Sequence, residues 1–403
     1  MAAFAYSPIF NNGFIGDDYV ILQRTEILKA HPFYLYHVPP ENFRSVSYVI
    51  FGVLKTFAGY RAWLFYVFNI GLHLANIVLL FRLLQIVLKD DVTARLAVLL
   101  FAVFQAPQEA IMWLAAMNET TLFFFTLLVL LFWSRKRHAA AALAYSFALF
   151  SKESAIIIPV LVLLLDLHTK RKPVWQSYAF LAIPSAGFAL IFLFTATKNF
   201  LLTTGAYSVR PGAVLVLGRS LHRLLWPWFY IFLIFTWANT RRMPSLSRLA
   251  WYLSGLIVTM LPYIFIAYQT SLPSRQLYLA SAMLVTLFAL LLRPLHGTPA
   301  LSIAVFAFIV FNVGYLWVRK DAQFEERAAP TTQLISVLRQ HAPQKTAIRN
   351  FPYPYPEIAT AATLAVPGWD GFVVVTDRSA NCTDCLQLDW NSSDRRYDLA
   401  QRP

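Results

Sequence analysis

Runs of apolar residues about as long as a bilayer is thick dominate this chain, and they dictate the solvent in which it folds. Runs of about 17–25 residues allow a helix to cross the ~30 Å hydrocarbon layer with its backbone hydrogen bonds closed internally. The apolar cores are Ala62–Leu88, Val92–Phe104, Thr120–Trp133, Ala139–Phe150, Ala155–Leu167, Tyr178–Thr197, Leu224–Ala238, Leu249–Tyr268, Leu277–Leu292 and Ala300–Val318. Several are short and need flanking residues to span. With 58% of residues hydrophobic and 13% charged, an ordinary soluble globule is excluded. A formal charge of +14 and a pI near 9.8 would suit nucleic acid. The Lys and Arg residues, however, sit mostly in short clusters between apolar runs, where they set topology, so no nucleic-acid partner is expected.

Ahead of these runs stands Ala2–Phe10, too short to cross and followed at once by Asn11-Asn12-Gly13. The expectation is a truncated first crossing, which brings the total to about eleven segments. The clusters at Arg135–His138, His168–Lys172, Thr240–Arg242 and Arg293–His296 then all follow even-numbered segments and share the cytoplasmic side. The opposite side receives the loop Ile15–Arg61, the connection Pro107–Glu119 and the turn Ser151-Lys152-Glu153. It also receives the loop Lys198–Arg223, the connection Gln269–Gln276 and the tail after Val318. The fold class expected is an all-α polytopic membrane domain over 1–318, with a small α/β extracytoplasmic domain over 319–403. In that tail Thr331–His341 has helical spacing and Gly371–Thr376 reads as a short strand. Cys382 and Cys385 form a lone C-x-x-C, read as a disulfide across a short loop rather than a metal or redox site.

The carboxylates fall on the outer face once the basic clusters have set the orientation. Asp17 and Asp18 stand where the first helix would emerge, and adjacent carboxylates suit general base catalysis as well as a helix cap. Glu109 lies in a mostly apolar connection beside Trp113, with Glu119 further on. Lys152 and Glu153 interrupt an apolar stretch, and charge at a membrane edge is costly enough to count as a functional signal. Outer basic residues are few: Arg44, Arg61, Arg210, Arg219, His222, Arg223 and Arg275. Guanidinium groups suit a departing phosphate. Arg275 and Tyr278 are one helical turn apart and are expected to share a face. Asn69, His73 and Asn76 recur at helical spacing and read as hydrogen-bonding glue between helices.

These residues resemble the GT-C membrane glycosyltransferases, particularly the protein O-mannosyltransferases and the transmembrane mannosyltransferases that carry tetratricopeptide repeats, with their bacterial relatives. The resemblance runs from Ile9 to Leu284 with its pieces in the family's order. Asn12-Gly13-Phe14-Ile15-Gly16-Asp17-Asp18 is similar to the acidic motif of the first outer loop. Phe43-Arg44-Ser45-Val46-Ser47 resembles an Arg-Pro-Leu segment, with Ser45 and Val46 replacing Pro and Leu. Leu72-His73-Leu74-Ala75-Asn76 resembles a His-Leu-x-Asn stretch. Glu109, Trp113 and Glu119 fall where the family has a Glu, a Trp and a second acidic residue, but Met117 stands where many members have Arg. Ser151-Lys152-Glu153-Ser154-Ala155-Ile156, with Pro159 and Asp166-Leu167, matches most closely. Arg275-Gln276-Leu277-Tyr278-Leu279 is similar to an Arg-Tyr-Leu-Tyr-Leu motif, and the tetratricopeptide repeats are absent.

The resemblance implies transfer of a sugar from a polyprenyl-phosphate donor to a hydroxyl of a protein, lipid or glycan, with inversion, on the extracytoplasmic side of a bacterial inner membrane. Asp17 would be the base, with Asp18 or Glu109 orienting the acceptor. Arg44, Glu119, Lys152, Glu153, Arg210, Arg275 and Tyr278 would bind substrate, and Lys152, Arg210 and Arg275 would face the departing phosphate. The mannosyltransferase branch needs no metal, whereas other GT-C members use a divalent ion, so no cofactor is expected. The rival readings are a lipid-linked sugar flippase or transporter, disfavoured by carboxylates gathered at one surface, and a catalytically inactive GT-C relative.

Overall fold

The protein is described by a computed structural model over residues 1–33, 44–195, 203–241, 245–376 and 385–399. Phe43, the start of the loop Lys198–Arg223, Arg242 and Cys382 lie outside the described residues. The loop Ile15–Arg61 holds two helices, α1 (Asp17–Ala30) and α2 (Ser45–Ala58). The 27-residue α3 (Ala62–Leu88) follows. Then comes α4 (Asp91–Val103), whose N-terminus is capped by Asp90 accepting from the Val92 and Thr93 N–H groups. A single turn, Gln108–Met112, leads through Leu114–Ala116 into α5 (Met117–Ser134), and α6 is His138–Ser151. Lys152, in extended backbone, ends α6 before α7 (Ile158–His168) begins with Pro159 in its first turn, where no N–H is needed.

The remaining helices are α8 (Trp175–Thr195), α9 (Gly212–Leu225), α10 (Trp228–Thr240), α11 (Leu246–Met260), α12 (Tyr278–Leu292), α13 (Pro299–Tyr315) and α14 (Asp321–Gln340). Among the described residues five helices are long and apolar enough to cross a membrane: Ala62–Leu88, Leu114–Ser134, Trp175–Phe194, Ser274–Leu295 and Pro299–Gln340. Ser45–Ala58 and His138–Ser151 are apolar but shorter.

Three features differ from the sequence reading. The loop Ile15–Arg61 contains the apolar helix α2. The run Leu249–Tyr268 is not one crossing: α11 stops at Met260, and Pro262, lacking an N–H, helps end it. The domain boundary at 318/319 falls within an unbroken 42-residue helix, Pro299–Gln340, which carries the chain from the bundle into the tail through a wider turn at Leu316–Lys320.

The N-terminal stub packs into the bundle. Ala2, Ala5, Tyr6 and Ile9 are buried, and the Tyr6 hydroxyl donates to the Phe104 carbonyl at 3.0 Å. Asn69, His73 and Asn76 join helices as expected: Asn69 donates to the Ala110 and Ile111 carbonyls, and Asn76 to that of Thr120. His73 Nδ1 meets the Tyr278 hydroxyl at 2.6 Å. In a medium without water, such contacts satisfy groups that would otherwise be stranded.

The tail carries a four-stranded sheet in the order β2-β1-β3-β4, comprising β1 (Thr346–Arg349), β2 (Val373–Val375), β3 (Leu386–Asn391) and β4 (Arg396–Leu399). β1 runs parallel to β2 and β3, whereas β3 and β4 are antiparallel. The crossover from β1 to β2 contains α15 (Glu357–Thr363), as a parallel connection requires. Cys385 is disulfide-bonded.

Candidate active site

The cleft forms where α1 and α2, the ends of the crossings and the tail meet. Its volume is about 460 Å³. α1 contributes Asp17, Val20, Ile21 and Arg24, positions spaced to share one helix face. The second wall comes from Arg44, just ahead of α2, and from Ser47, Tyr48 and Phe51 within it. Connections between helices add Trp113, Lys152, Glu153, Tyr263, Arg275 and Gln276, the first turn of α5 adds Asn118, and the tail adds Tyr355, Glu357 and Ile358. The helices α5, α7 and α12 begin beside the cleft and end near the basic clusters Arg135–Arg137, Lys170–Lys172 and Arg293. Cleft and clusters therefore occupy opposite ends of the bundle.

Arg44 grips Glu153 with two parallel hydrogen bonds, Nη2 to Oε1 at 2.7 Å and Nε to Oε2 at 3.1 Å. Burial works to raise the Glu153 carboxyl, but the Arg44 guanidinium outweighs it and holds the group at about 2. Behind this pair Lys152 Nζ forms a buried ion pair with Glu119, whose other oxygen accepts from the Tyr263 hydroxyl at 2.9 Å. The Ser154 and Tyr263 hydroxyls lie 2.8 Å apart. Burial lowers the Lys152 ammonium from its usual range, against the pull of Glu119. At the other end Glu109 bridges two guanidiniums, Arg275 at 3.5 Å and Arg327 at 3.4 Å. Both cations stack over the Trp113 ring, 4.8 and 4.4 Å from its centroid.

The acidic motif divides its two carboxylates. Asp17, partly buried, lines the cleft. Asp18 is wholly buried and turned away: Oδ2 accepts from the Ile15 N–H at 2.8 Å and Oδ1 from the Ala115 N–H at 2.6 Å. Burial raises its carboxyl to about 8, against those two donors. Asp18 thus ties the start of α1 to the connection before α5 rather than facing the cleft. The glycines ahead of it allow close packing against the tail. A Cβ on Gly16 would stand 2.9 Å from Tyr353 Cε1, and one on Gly13 would stand 2.6 Å from Thr332 Oγ1.

The cleft thus gathers Asp17, Arg44, Lys152, Glu153 and Arg275 from the sequence candidates, with Glu109 and Glu119 bound to their cations. Tyr278 does not share a face with Arg275. It is buried in the bundle on His73 and Asn76 because its helix begins there and turns the ring inward. Arg210 does not line the cleft; its Nε is buried without a hydrogen-bond partner. The sequence reading missed Arg24, although Asp17 and Arg24 are two helical turns apart, a spacing that could have revealed it. It also missed Tyr48, Tyr263, Tyr355, Glu357 and Arg327. Nothing local marks the tail residues, which reach the cleft only through the long helix and the fold of the tail. Among the described residues no three His, Cys, Asp or Glu side chains gather around a point that would hold a metal ion.

No protein-family model matches the sequence, and no curated protein matches it. Among solved structures, the crystal structure of ArnT from Cupriavidus metallidurans bound to undecaprenyl phosphate is similar. The TM-score is 0.54 and the identity 14%, over 97% of this chain and 92% of that chain. What two chains share at that identity is architecture: this chain has the fold of that ArnT structure.

Proposed function

We propose that the chain is a membrane glycosyltransferase that moves a sugar from a polyprenyl-phosphate donor to an acceptor hydroxyl on the extracytoplasmic side, with inversion. The observation that carries this reading is a single cleft in which the Asp17 carboxylate stands with Arg44, Lys152 and Arg275. That ArnT was crystallised with undecaprenyl phosphate supports a donor of the same chemical class.

Asp17 takes the proton as the acceptor oxygen bonds to the anomeric carbon. The bond from that carbon to the phosphate oxygen breaks on the opposite face, and the electron pair leaves with the phosphate. Arg275 and Lys152 stabilise the charge that develops there, in a site already lined with oriented cations. Arg44 and Glu153 hold the rim in place through their paired hydrogen bonds. Val20, Ile21 and Phe51 offer the prenyl chain an apolar exit toward the bilayer. Glu109 keeps Arg275 and Arg327 poised over Trp113, and Asp18 positions the loop beneath Asp17. The mannosyltransferase-like branch belongs to the same proposal.

The test is to incubate the purified protein with labelled polyprenyl-phosphate sugars and a panel of protein, lipid and glycan acceptors. Labelled product formed with inverted anomeric configuration is the expected result. An inactive relative yields no product with any pair, and a flippase moves labelled lipid across proteoliposomes without forming product.

A further inference from the structure

A second cleft, of about 360 Å³, lies at the far end of the bundle from Asp17. Asp90, Thr93, His168, Arg248, Tyr252 and Arg293 line it. It continues into an apolar groove between α3, α5, α7, α11 and α12, with Val87, His168 and Tyr252 common to both. The groove offers little to a polar ligand. Thr126 and Thr286 donate to carbonyls of their own helices, at Leu122 and Ala282. Along α12 the groove extends from Thr286 to Leu279, about 10 Å at 1.5 Å per residue. That falls within the depth of one leaflet, ~15 Å of hydrocarbon.

Where the groove meets the cleft, the Tyr252 hydroxyl is buried with no hydrogen-bond partner, although the residue is only 7% exposed. A phenol in that position needs an acceptor. One turn earlier on α11, Arg248 points the same way, and among the described residues it makes no ion pair. Arg293 stands across the cleft, 2.7 Å from Asp90. Asp90 is already engaged: Oδ1 accepts from the Val92 and Thr93 N–H groups, and Oδ2 from the Thr93 hydroxyl and Arg293. It therefore has little capacity left for a lipid amine, and the open charge of the cleft is positive.

From this arrangement we infer a binding site for an anionic glycerophospholipid of the leaflet opposite the candidate active site. One acyl chain fills the groove, the Tyr252 hydroxyl donates to an ester or phosphate oxygen, and Arg248 and Arg293 hold the phosphate. The site is separate from the sugar-transfer cleft, and its test does not depend on that activity.

The experiment is native mass spectrometry of the delipidated full-length protein, titrated with phosphatidylglycerol, phosphatidylcholine or a polyprenyl phosphate. The expected result is one phosphatidylglycerol bound about tenfold more tightly than phosphatidylcholine. Tyr252→Phe and Arg248→Gln should each loosen it roughly fivefold, the worth of one hydrogen bond. Gly255→Leu should abolish it, because a Cβ there already stands 3.3 Å from Met283 Sδ and a longer side chain fills the groove. Should that variant misfold, Tyr252→Phe, which removes a single oxygen, still decides the matter. Equal binding of the two phospholipids, or retention unchanged in Tyr252→Phe and Arg248→Gln, overturns the proposal. So does polyprenyl phosphate competing for the same position with the same dependence on Tyr252, since the groove would then belong to the donor.

Discussion

Arg44 and Glu153 are 109 residues apart in the chain and meet in a two-pronged ion pair at 2.7 and 3.1 Å. The pair closes the start of α2 onto the break between α6 and α7. Removing either partner leaves the other charge in a half-buried site. Arg44→Ala should therefore cost roughly 1.5–3 kcal/mol, the range for a hydrogen bond to a charged group. Arg44→Lys should recover only part of this, because an ammonium cannot form the fork. In a double-mutant cycle the combined Arg44→Ala and Glu153→Ala protein should lose less than the sum of the single losses. Strict additivity in thermal unfolding would mean that the pair contributes nothing.

The two ends of the cleft should respond differently to substitution. Asp17→Asn keeps the shape and removes the proton acceptor, so turnover should fall by roughly 10²–10⁴-fold while donor binding survives. Arg275→Ala should weaken donor binding and also slow departure of the phosphate. Steady-state kinetics with separate donor-binding measurements distinguish the two. Wild-type turnover in Asp17→Asn would remove Asp17 from the chemistry and make Glu109 the carboxylate to test.

Asp18 makes stability depend on pH with a defined sign. Its folded carboxyl is raised to about 8 from 3.8, so the folded protein holds the proton more tightly than the unfolded chain does. The corresponding stabilisation is complete below about pH 4 and is lost as pH rises through about 8. Melting temperatures should fall across that window, and Asp18→Asn, which cannot ionise, should flatten the fall. A wild-type profile in that variant would assign the pH dependence to other groups.

Sidedness is open to direct labelling in a background where Cys382 and Cys385 are replaced by Ser. Cysteines introduced at Lys29 and Gln344, exposed at the cleft end, should react with an impermeant reagent added outside intact cells. Those at Arg137 and Lys170, in the basic clusters, should react only after the membrane is opened. The reverse pattern would place the cleft in the cytoplasm.

Much of the scaffold is legible in local sequence because a bilayer imposes a local rule. Each crossing must satisfy its own backbone, so length and hydropathy mark it without reference to its neighbours. That rule locates α3, α5, α8, α12 and α13, and the positive clusters place the cleft at the opposite end of the bundle. The same rule misleads where a helix is apolar but short, as at α2, and where Pro262 ends α11 within a run that hydropathy alone reads as continuous.

By itself, the sequence determined that the chain belongs in a membrane and that Asp17, Arg44, Lys152, Glu153 and Arg275 lie toward one end of it. Only the tertiary structure decided what each of them faces. Asp17 and Asp18 are neighbours of the same chemical type, yet one lines the cleft and the other binds the N–H of Ala115, far along the chain. Arg327 reaches Glu109 because a helix of 42 residues runs unbroken into the tail. Partners for a carboxylate are chosen by which backbone and side-chain donors arrive beside it. That arrival depends on packing between distant segments, which spacing along the chain does not encode.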